Sequence, residues 1–262
     1  MKPETLHLLC SPEGHEPLLF VTERETDGTT KELLLAPRSG RRYPIRDGIP
    51  VFVDDSEVTG LNKQYQAVYD RVAAFYDLGS RAYGFLTRGV LRKRVLAGIA
   101  VTREDRVLEV SIGTGFNVSL LPRAAKYFGL DISWGMLRRC QNNMRRQKID
   151  AELFLGNAEC LPFKDEVFDV VFHIGGINFF NDKAKAIREM IRVAKPGTTI
   201  LIGDEMPRVE RYYSNLPLVG REFRNRASMM KPPIELVPQE MLDLKFRDIY
   251  EAFYVITFRK PN

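Results

Sequence analysis

Residues 107–116 read VLEVSIGTGF, a short apolar run that leads directly into two glycines. Such a run before a glycine pair is typical of a buried strand that ends in a tight turn. Glycine has no side chain to hold a ligand away, so the backbone of such a turn can approach a ligand closely. The chemistry of that ligand determines what the chain does.

Two phosphate-binding motifs do not fit this turn. A dinucleotide fingerprint requires a third glycine three positions after Gly115, and Val118 stands there. A triphosphate-binding loop requires Gly-Lys-Ser or Gly-Lys-Thr, and no such triplet follows the turn. The carboxylate of Glu109, near the end of the strand, repels phosphate and favours a cationic ligand.

The composition is that of a globular protein with a sizeable core. The chain has 262 residues, 44% of them hydrophobic, and a formal net charge of +5. Charges interrupt every apolar run before it reaches the length of a membrane-spanning helix, and the N-terminus has no extended apolar stretch of the kind found in signal peptides. Three scattered cysteines do not make a disulfide framework, so we expect a cytoplasmic protein. The arginine clusters, among them Arg92-Lys93-Arg94, are interpreted as solvated helix faces.

Three regions differ in sequence pattern. Residues 1–55 contain short strand-like runs between Pro and Gly, which predicts a small β-rich module. Residues 56–100 have helical periodicity and are predicted to form a linker that caps a ligand. Residues 101–262 alternate strands and helices, with residues 206–237 as an insertion on the substrate side. This alternation predicts an α/β fold with a doubly wound, mostly parallel sheet of the Rossmann-like kind.

Residues that follow the next strands define the rest of the ligand. Asp131 ends the second strand 18 residues after Gly113, a spacing that suits a carboxylate accepting from both ribose hydroxyls. Asn157 follows the third strand, where an amide can meet the edge of an adenine. A ribose, a purine and a positive charge without phosphate describe S-adenosylmethionine.

The segment 105–204 resembles the class I S-adenosylmethionine-dependent methyltransferases, specifically their ubiquinone/menaquinone C-methyltransferase-like branch. The motifs that carry this resemblance occur in the family's order and spacing: VLEVSIGTG, GLDIS-WGML, GNAECLPF, FDVVFHIGGINFF and IREMIRVAKPG. The family has a seven-stranded sheet, and its members transfer a methyl group by in-line displacement from S-adenosylmethionine, leaving S-adenosylhomocysteine.

The resemblance implies a role for each matching position. The residues implied for the methionine portion and the sulfonium are Glu109, Gly113, Thr114 and Gly115. Those implied for the ribose, the adenine and their surroundings are Asp131, Ile132, Met136, Asn157, Ala158 and Ile174. Tyr76, in the helix-like stretch YDRVAAFYD, is implied as a cap over the methionine end. The chain departs from the family at Ser111, where a glycine is usual, and at Asn157, where an aspartate is commoner.

The N-terminal module carries a second, shorter resemblance. The run GRRYPIRDGIPV is similar to the end of a small zinc-ribbon family found with methyltransferases. That family binds zinc with two Cys-x-x-Cys pairs, but here only Cys10 remains of the first pair, and Ala36 and Ser39 replace the second. We therefore expect a ribbon-like fold without metal, held by an apolar core of Leu8, Leu18, Phe20, Leu34, Ile45 and Val51.

The acceptor side follows the fourth strand, in HIGGINFF from His173 to Phe180. The Asp/Asn-Pro-Pro-Tyr motif of enzymes that methylate exocyclic amino groups is absent, and Ile177-Asn178-Phe179 replaces the Leu-His-His of many relatives. His173 and Asn178 are the candidate catalytic residues, although a histidine at a strand end can also be structural. Apolar and methionine residues in the 206–237 insertion favour an acceptor with a hydrophobic part.

Three functions remain compatible with these patterns. The first is methyl transfer to a small, lipophilic acceptor. The second is methylation of ribosomal or transfer RNA, favoured by the basic charge but not by any stripe of basic and aromatic residues. The third is a non-catalytic protein that binds S-adenosylmethionine, suggested by the missing histidine pair.

Overall fold

The computed structural model describes residues 1–24, 28–70, 85–206 and 231–262. They form two sheets. The first is an antiparallel N-terminal sheet in the order β1-β2-β3-β4. Its strands are β1 (Leu19–Arg24), β2 (Thr30–Leu35), β3 (Arg42–Arg46) and β4 (Ile49–Pro50).

The second sheet has seven strands in the order β10-β11-β9-β8-β5-β6-β7. The strands are β5 (Arg106–Val110), β6 (Lys126–Asp131), β7 (Ala151–Leu155), β8 (Val170–Ile174), β9 (Thr199–Glu205), β10 (Leu242–Ile249) and β11 (Phe253–Arg259). Strands β5 to β9 are parallel, whereas β10 and β11 form an antiparallel hairpin beside β9. The fold class predicted from the sequence is confirmed.

The chain runs outward from β5 in both directions, because β6 lies on one side of β5 and β8 on the other. Open α/β sheets bind their ligands in a crevice at the carboxyl ends of the strands where the order reverses, and here that point lies between β5 and β8. The segments that line this crevice are the glycine turn after β5 and the loop after β8.

Helices cover both faces of the large sheet. They are α1 (60–70), α2 (Phe85–Leu96), α3 (Trp134–Gln147) and α4 (Lys183–Val193), with short 3-10 turns at Pro3–Leu8, Val118–Leu120, Ile177–Phe179 and Ile234–Leu236. Side chains from α2 and α3 pack on one face, and side chains from α4 pack on the other. Helix α3 begins at Ser133, whose hydroxyl accepts from Met136 N at 3.1 Å. Helix α4 begins at Asp182, which caps Lys185 N at 2.8 Å.

The N-terminal module protects the β7 edge of the large sheet. Phe52 N donates to Leu155 O at 2.7 Å, and Val51 forms a parallel bridge with Leu155. An open edge strand invites pairing with other chains, and this contact covers the carboxyl end of β7. Leu34 and Phe52 also belong to the same buried cluster as Phe154, so the module and the large sheet share one core.

A carboxylate ties two turns of this module together. The side chain of Glu16 accepts from Arg38 N at 2.7 Å, Ser39 N at 3.1 Å and Ser39 Oγ at 2.6 Å. Glu16 N in turn donates to Ser11 Oγ at 3.1 Å, in the turn that follows Cys10. These turns contain the positions where the zinc-ribbon family has its cysteine pairs, so hydrogen bonds to Glu16 connect them here.

The prediction that Phe20 belongs to the core of the module was wrong. Its side chain is 44% exposed, because its strand β1 is an edge of the small sheet.

No helix in the described part of the chain is long and apolar enough to cross a membrane.

Candidate active site

The glycine turn after β5 contains three residues in the left-handed region. Ser111, Gly113 and Gly115 have φ values of 60°, 56° and 79°. A Cβ atom on Gly115 would lie 2.5 Å from Met144 Cε and 2.8 Å from Cys140 Sγ, so helix α3 leaves no room for a side chain. A Cβ on Gly113 would meet nothing within 4 Å and would point into open space. Gly115 therefore serves packing, whereas Gly113 faces the crevice.

Asp131, at the end of β6, fixes this turn from the neighbouring strand. Its Oδ2 accepts from Gly113 N at 2.8 Å, and its Oδ1 accepts from Ser133 N at 2.9 Å. The residue is 8% exposed, and burial raises the pKa of its carboxyl to about 6. Each oxygen keeps a lone pair that can accept from a hydroxyl of a ligand.

Glu109 is fully buried beneath the turn. Its Oε1 accepts from Asn117 Nδ2 at 2.6 Å, and its Oε2 has no hydrogen-bond partner. Burial raises the pKa of the Glu109 carboxyl to about 8, and the nearby Arg92 acts in the opposite direction. A buried carboxylate with an unpaired oxygen is costly unless a cationic or hydrogen-bonding ligand pairs with it.

Arg92 of α2 reaches the same crevice, which contradicts its interpretation as part of a solvated helix face. Its guanidinium stacks over the ring of Phe253 at 4.8 Å, and a Cβ atom added to Gly175 would lie 3.8 Å from Arg92 Nη2. Arg92 shares an apolar helix face with the buried Val95 and Leu96, three and four residues later. That spacing is the signal in the sequence that could have revealed its inward position.

Four buried side-chain atoms in the described residues lack a hydrogen-bond partner: Arg92 Nη1, Glu109 Oε2, Asn117 Oδ1 and His173 Nε2. Three of them lie on one face of the large sheet, since Asn117 bonds Glu109 and Arg92 lowers the pKa of Glu109, whereas His173 lies in β8 on the other face. Native proteins leave few buried polar groups unpaired, and those that remain call for a specific explanation. Clustered around the strand reversal, they indicate a ligand site with both acceptors and a cationic donor.

The other predicted ligand residues lie on both sides of β5: Ile132, Met136 and Ala158 follow β6 and β7, whereas Ile174 ends β8. Met136, Ala158 and Ile174 are buried, and Ile132 is partly buried and adjacent to Asp131. Asn157 Oδ1 accepts from Glu159 N at 2.9 Å, so this amide also shapes its own loop. Thr114 is 8% exposed, and its carbonyl accepts from Asn143 Nδ2 at 3.1 Å.

Helix α1 lies across the β6 and β7 side and contributes contacts that the sequence did not reveal. Gln66 Nε2 donates to Ile132 O at 3.2 Å. Asp70 accepts from Ser133 Oγ and, at 2.9 Å, from Gly135 N. The predicted cap Tyr76 lies outside the described residues, as does most of the 206–237 insertion.

His173 lies in β8, completely buried on the face of the sheet opposite Glu109. Its Nδ1 is 2.9 Å from Val110 O, and its ring packs edge-on against Phe180 with centroids 5.3 Å apart. Burial lowers the pKa of the imidazole to about 4, so the ring is neutral at pH 7. A carbonyl can only accept, so Nδ1 carries the proton and Nε2 presents a lone pair.

Asn178 uses all of its hydrogen-bonding capacity within the protein. Its Nδ2 donates to Asp204 Oδ2 at 3.2 Å and approaches the hydroxyl of Tyr254 at 3.4 Å. Its Oδ1 accepts from Lys183 Nζ at 2.9 Å and from Lys231 N at 3.3 Å. This buried network supports the loop after β8 from below.

A seven-stranded sheet in this order, with a glycine turn and an acidic residue at adjacent strand ends, defines a nucleoside-binding α/β protein. Comparison with known proteins shows which kind of nucleoside-binding protein this chain is. A family model described as a methyltransferase domain matches residues 108–202. A structure of a SAM-dependent methyltransferase from Thermotoga maritima is similar in fold, with a TM-score of 0.55 and 20% identity, covering 74% of this chain and 99% of that one.

Two relatives extend the match beyond this segment. A demethylmenaquinone methyltransferase from Lactiplantibacillus plantarum is 31% identical over 176 residues, which cover 62% of this chain and 74% of that protein. The ubiquinone/menaquinone biosynthesis C-methyltransferase UbiE from Proteus mirabilis is 33% identical over 175 residues, which cover 61% of this chain and 70% of the relative. The chain belongs to the class I S-adenosylmethionine-dependent methyltransferases, in the family that contains these enzymes. Its cofactor is S-adenosylmethionine, and S-adenosylhomocysteine is the product.

Proposed function

We propose that this enzyme methylates a small lipophilic acceptor with a reactive ring, of the quinol type suggested by the names of its relatives. We place the reaction in the cytoplasm, which is supported by three cysteines that are all free thiols. The observation that carries the proposal is the group of unpaired buried atoms at the strand reversal, because they match the charged end of the cofactor.

The amino-acid end of S-adenosylmethionine carries an ammonium and a carboxylate. Glu109 Oε2 and Asn117 Oδ1 are buried acceptors without partners, which suits the ammonium. Arg92 Nη1 is a buried cationic donor without a partner, which suits the carboxylate. A zwitterion would thus satisfy three of the four unpaired atoms, and the residues present fit the cofactor.

The remaining ligand residues suit the adenosine. Asp131 presents lone pairs for the ribose hydroxyls, with Ile132 and Met136 beside it. Asn157 and Ala158 border the adenine, as the family resemblance implies. The open space at Gly113 allows the cofactor to approach the backbone between these two ends.

The acceptor side is formed by the loop after β8. Gly175 and Gly176 have φ values of 94° and 100°, and neither contributes a side chain where the acceptor and the cofactor must meet. Aromatic rings of Phe253 and Phe179 lie nearby, with Phe179 packed 4.1 Å from the ring of Tyr65. Apolar walls exclude water and hold the reacting atoms in line, which is the main contribution a methyltransferase makes.

Bound S-adenosylmethionine supplies an electrophilic methyl group on its sulfonium. His173 is proposed to accept a hydrogen bond from an acceptor hydroxyl through Nε2, since Val110 holds the tautomer that leaves this atom unprotonated. Asn178 is proposed to hold the loop in place rather than to touch the acceptor, because its amide is already saturated.

Binding measurements with two ligands test the cofactor geometry. S-adenosylhomocysteine has the amino-acid end, whereas 5′-methylthioadenosine lacks it. Arg92→Met should weaken binding of S-adenosylhomocysteine at least tenfold and leave 5′-methylthioadenosine unchanged, because only the former has a carboxylate. Arg94→Met is the matched control, since Arg94 stacks on Tyr250 instead and should leave both affinities unchanged. An equal loss for both ligands would refute the assignment of Arg92.

Methyl transfer from labelled S-adenosylmethionine tests the acceptor class. Reduced demethylmenaquinone with a short prenyl tail, held in detergent, should be labelled, and total bacterial RNA should not. His173→Asn should lower kcat by about tenfold, the loss of one hydrogen bond to the acceptor, with little change in cofactor affinity. Labelling of RNA alone would refute the small-acceptor proposal.

A further inference from the structure

Glu159 occupies a junction between three segments of the active site. It follows Asn157 and Ala158 in the loop after β7 that we assign to the adenine (residues 156–159, the adenine loop), and it is 8% exposed. Its Oε1 accepts three hydrogen bonds: from Asn62 Nδ2 at 2.9 Å, from Asn181 N at 2.8 Å and from Asp182 N at 3.1 Å. Asn62 lies in α1, and Asn181 and Asp182 are the last two residues of the loop after β8 (residues 175–182, the acceptor loop), directly before α4.

The acceptor loop and α1 are also joined directly beside this carboxylate. Asn181 Oδ1 accepts from Leu61 N at 2.8 Å, and Asn181 Nδ2 donates to Thr59 O at 3.0 Å. Gly60 has φ of 59°, and a side chain there would collide with Asn181. The start of α1 is therefore fitted closely to the end of the acceptor loop, and Glu159 holds both.

A negatively charged hydrogen-bond acceptor is favourable at the position of the Glu159 carboxylate. The N-terminus of α4 begins at Asp182, and its unpaired N–H groups favour a negative charge. Hydrogen bonds to an ionised group are about twice as strong as neutral ones, and three converge on one oxygen. Removal of the carboxylate would leave the buried amide of Asn62 and two partly buried backbone N–H groups without this hydrogen-bond acceptor.

We propose that Glu159 is a positioning residue through which the adenine loop sets the geometry of the acceptor loop (residues 175–182). Cofactor bound against Asn157 and Ala158 orders the adenine loop. Through its hydrogen bonds, Glu159 then restricts the motion of the acceptor loop and of α1. Acceptor binding then depends on cofactor binding, even though Glu159 need touch neither ligand. The identity of the methyl acceptor in this inference rests on the proposed function, whereas the connection that Glu159 makes between the two loops and α1 does not.

Kinetics separate this role from simple support of the fold. Glu159→Ala should raise the KM for the acceptor about tenfold while changing the affinity for S-adenosylhomocysteine less than threefold. Glu159→Gln should show a smaller increase in KM, because it retains an acceptor oxygen and loses the charge. The matched control is Glu189→Gln. Glu189 is also buried and accepts from Leu161 N at 2.8 Å, but its partners lie away from the acceptor loop.

Glu189→Gln should lower the unfolding temperature and leave the KM for the acceptor unchanged. A rise in KM as large as that of Glu159→Gln would overturn the proposal. So would a loss of S-adenosylhomocysteine affinity in Glu159→Ala that equals the change in KM.

Hydrogen exchange gives a readout that needs no acceptor. S-adenosylhomocysteine should slow exchange in peptides that cover residues 175–182 of the unmodified enzyme, and this protection should disappear in Glu159→Ala. Normal binding without protection of residues 175–182 would overturn this inference and leave the proposed function intact. Failure of the unmodified chain to bind S-adenosylhomocysteine at all would overturn both.

Discussion

Gly113 provides a sharp test of where the cofactor lies. Its N–H donates to Asp131 Oδ2 at 2.8 Å, a bond that alanine can keep, and its missing Cβ faces open space. Gly113→Ala should therefore change binding far more than stability. Gly115→Ala should do the reverse, because its Cβ would overlap Met144 and Cys140 in the core.

The expected stability changes can be estimated from the backbone and the packing. Alanine at φ of 56° costs about 1–2 kcal/mol, partly offset by about 0.4–1 kcal/mol from the stiffer unfolded chain. Gly113→Ala should thus lose about 1 kcal/mol, or roughly 2–4 °C in Tm. Gly115→Ala adds overpacking of about 1–3 kcal/mol, so its Tm should fall by on the order of 10 °C.

Binding supplies the decisive comparison. Calorimetric titration with S-adenosylhomocysteine should show at least a tenfold weaker affinity for Gly113→Ala, since the new methyl group occupies space that the cofactor needs. Thermal unfolding of the same preparations without ligand gives the stability change. An affinity within threefold of the unmodified protein would show that the cofactor does not lie against Gly113, and the assignment of the turn would fail.

Three further changes test other parts of the structure. Ser111→Gly should raise the free energy of unfolding by up to about 1 kcal/mol, measured as a higher urea midpoint, because serine is strained at φ of 60°. A lower midpoint would show that its side chain contributes more than the strain costs. Glu109 has a folded-state pKa raised from 4.5 to about 8, so its contribution to cofactor-free stability is full below pH 4.5 and is lost as the pH rises to about 8. The free energy of unfolding of Glu109→Gln, measured by urea titration, should therefore rise relative to that of the unmodified protein between pH 5 and pH 8. A constant difference between the two proteins over this range would contradict the burial of a titrating carboxyl. Hydrogen bonds from Ser39 lower the pKa of Glu16, so its stabilising effect is present at neutral pH and is lost as the pH falls through its folded-state pKa. Glu16→Ala should lower Tm more at pH 7 than at acid pH, where Glu16 becomes protonated, and an equal loss under both conditions would rule out the carboxylate as the link.

Local patterns in the sequence determined the main sheet and the adenosine side of the site. Strands β5 to β9 are short apolar runs buried on both faces, so their composition alone separates them from the amphipathic helices between them. The ends of such strands must meet at one edge of the sheet, and for this reason Glu109, Gly113 and Asp131 could be predicted to lie together. Their hydrogen bonds and burial agree with that expectation, although their roles toward the cofactor remain predictions.

The tertiary structure alone decided which distant residues complete the site. Arg92 comes from a helix before the first strand of the large sheet, and charge alone does not distinguish an arginine in solvent from one stacked on Phe253. Glu159 acquires its role from Asn62 and Asn181, which lie 97 and 22 residues away in the sequence. Hydrogen bonds between loops depend on how the helices pack, and periodicity carries no record of that packing.

The docking of the N-terminal module was likewise set by long-range contacts. Its apolar residues indicated a separate β-rich unit, yet Phe52 pairs with Leu155 and joins the core of the large sheet. A sequence of short strands shows which residues seek burial, but not which surface buries them. The edge of β7 supplied that surface, because its unpaired backbone groups needed partners that only the folded chain could bring.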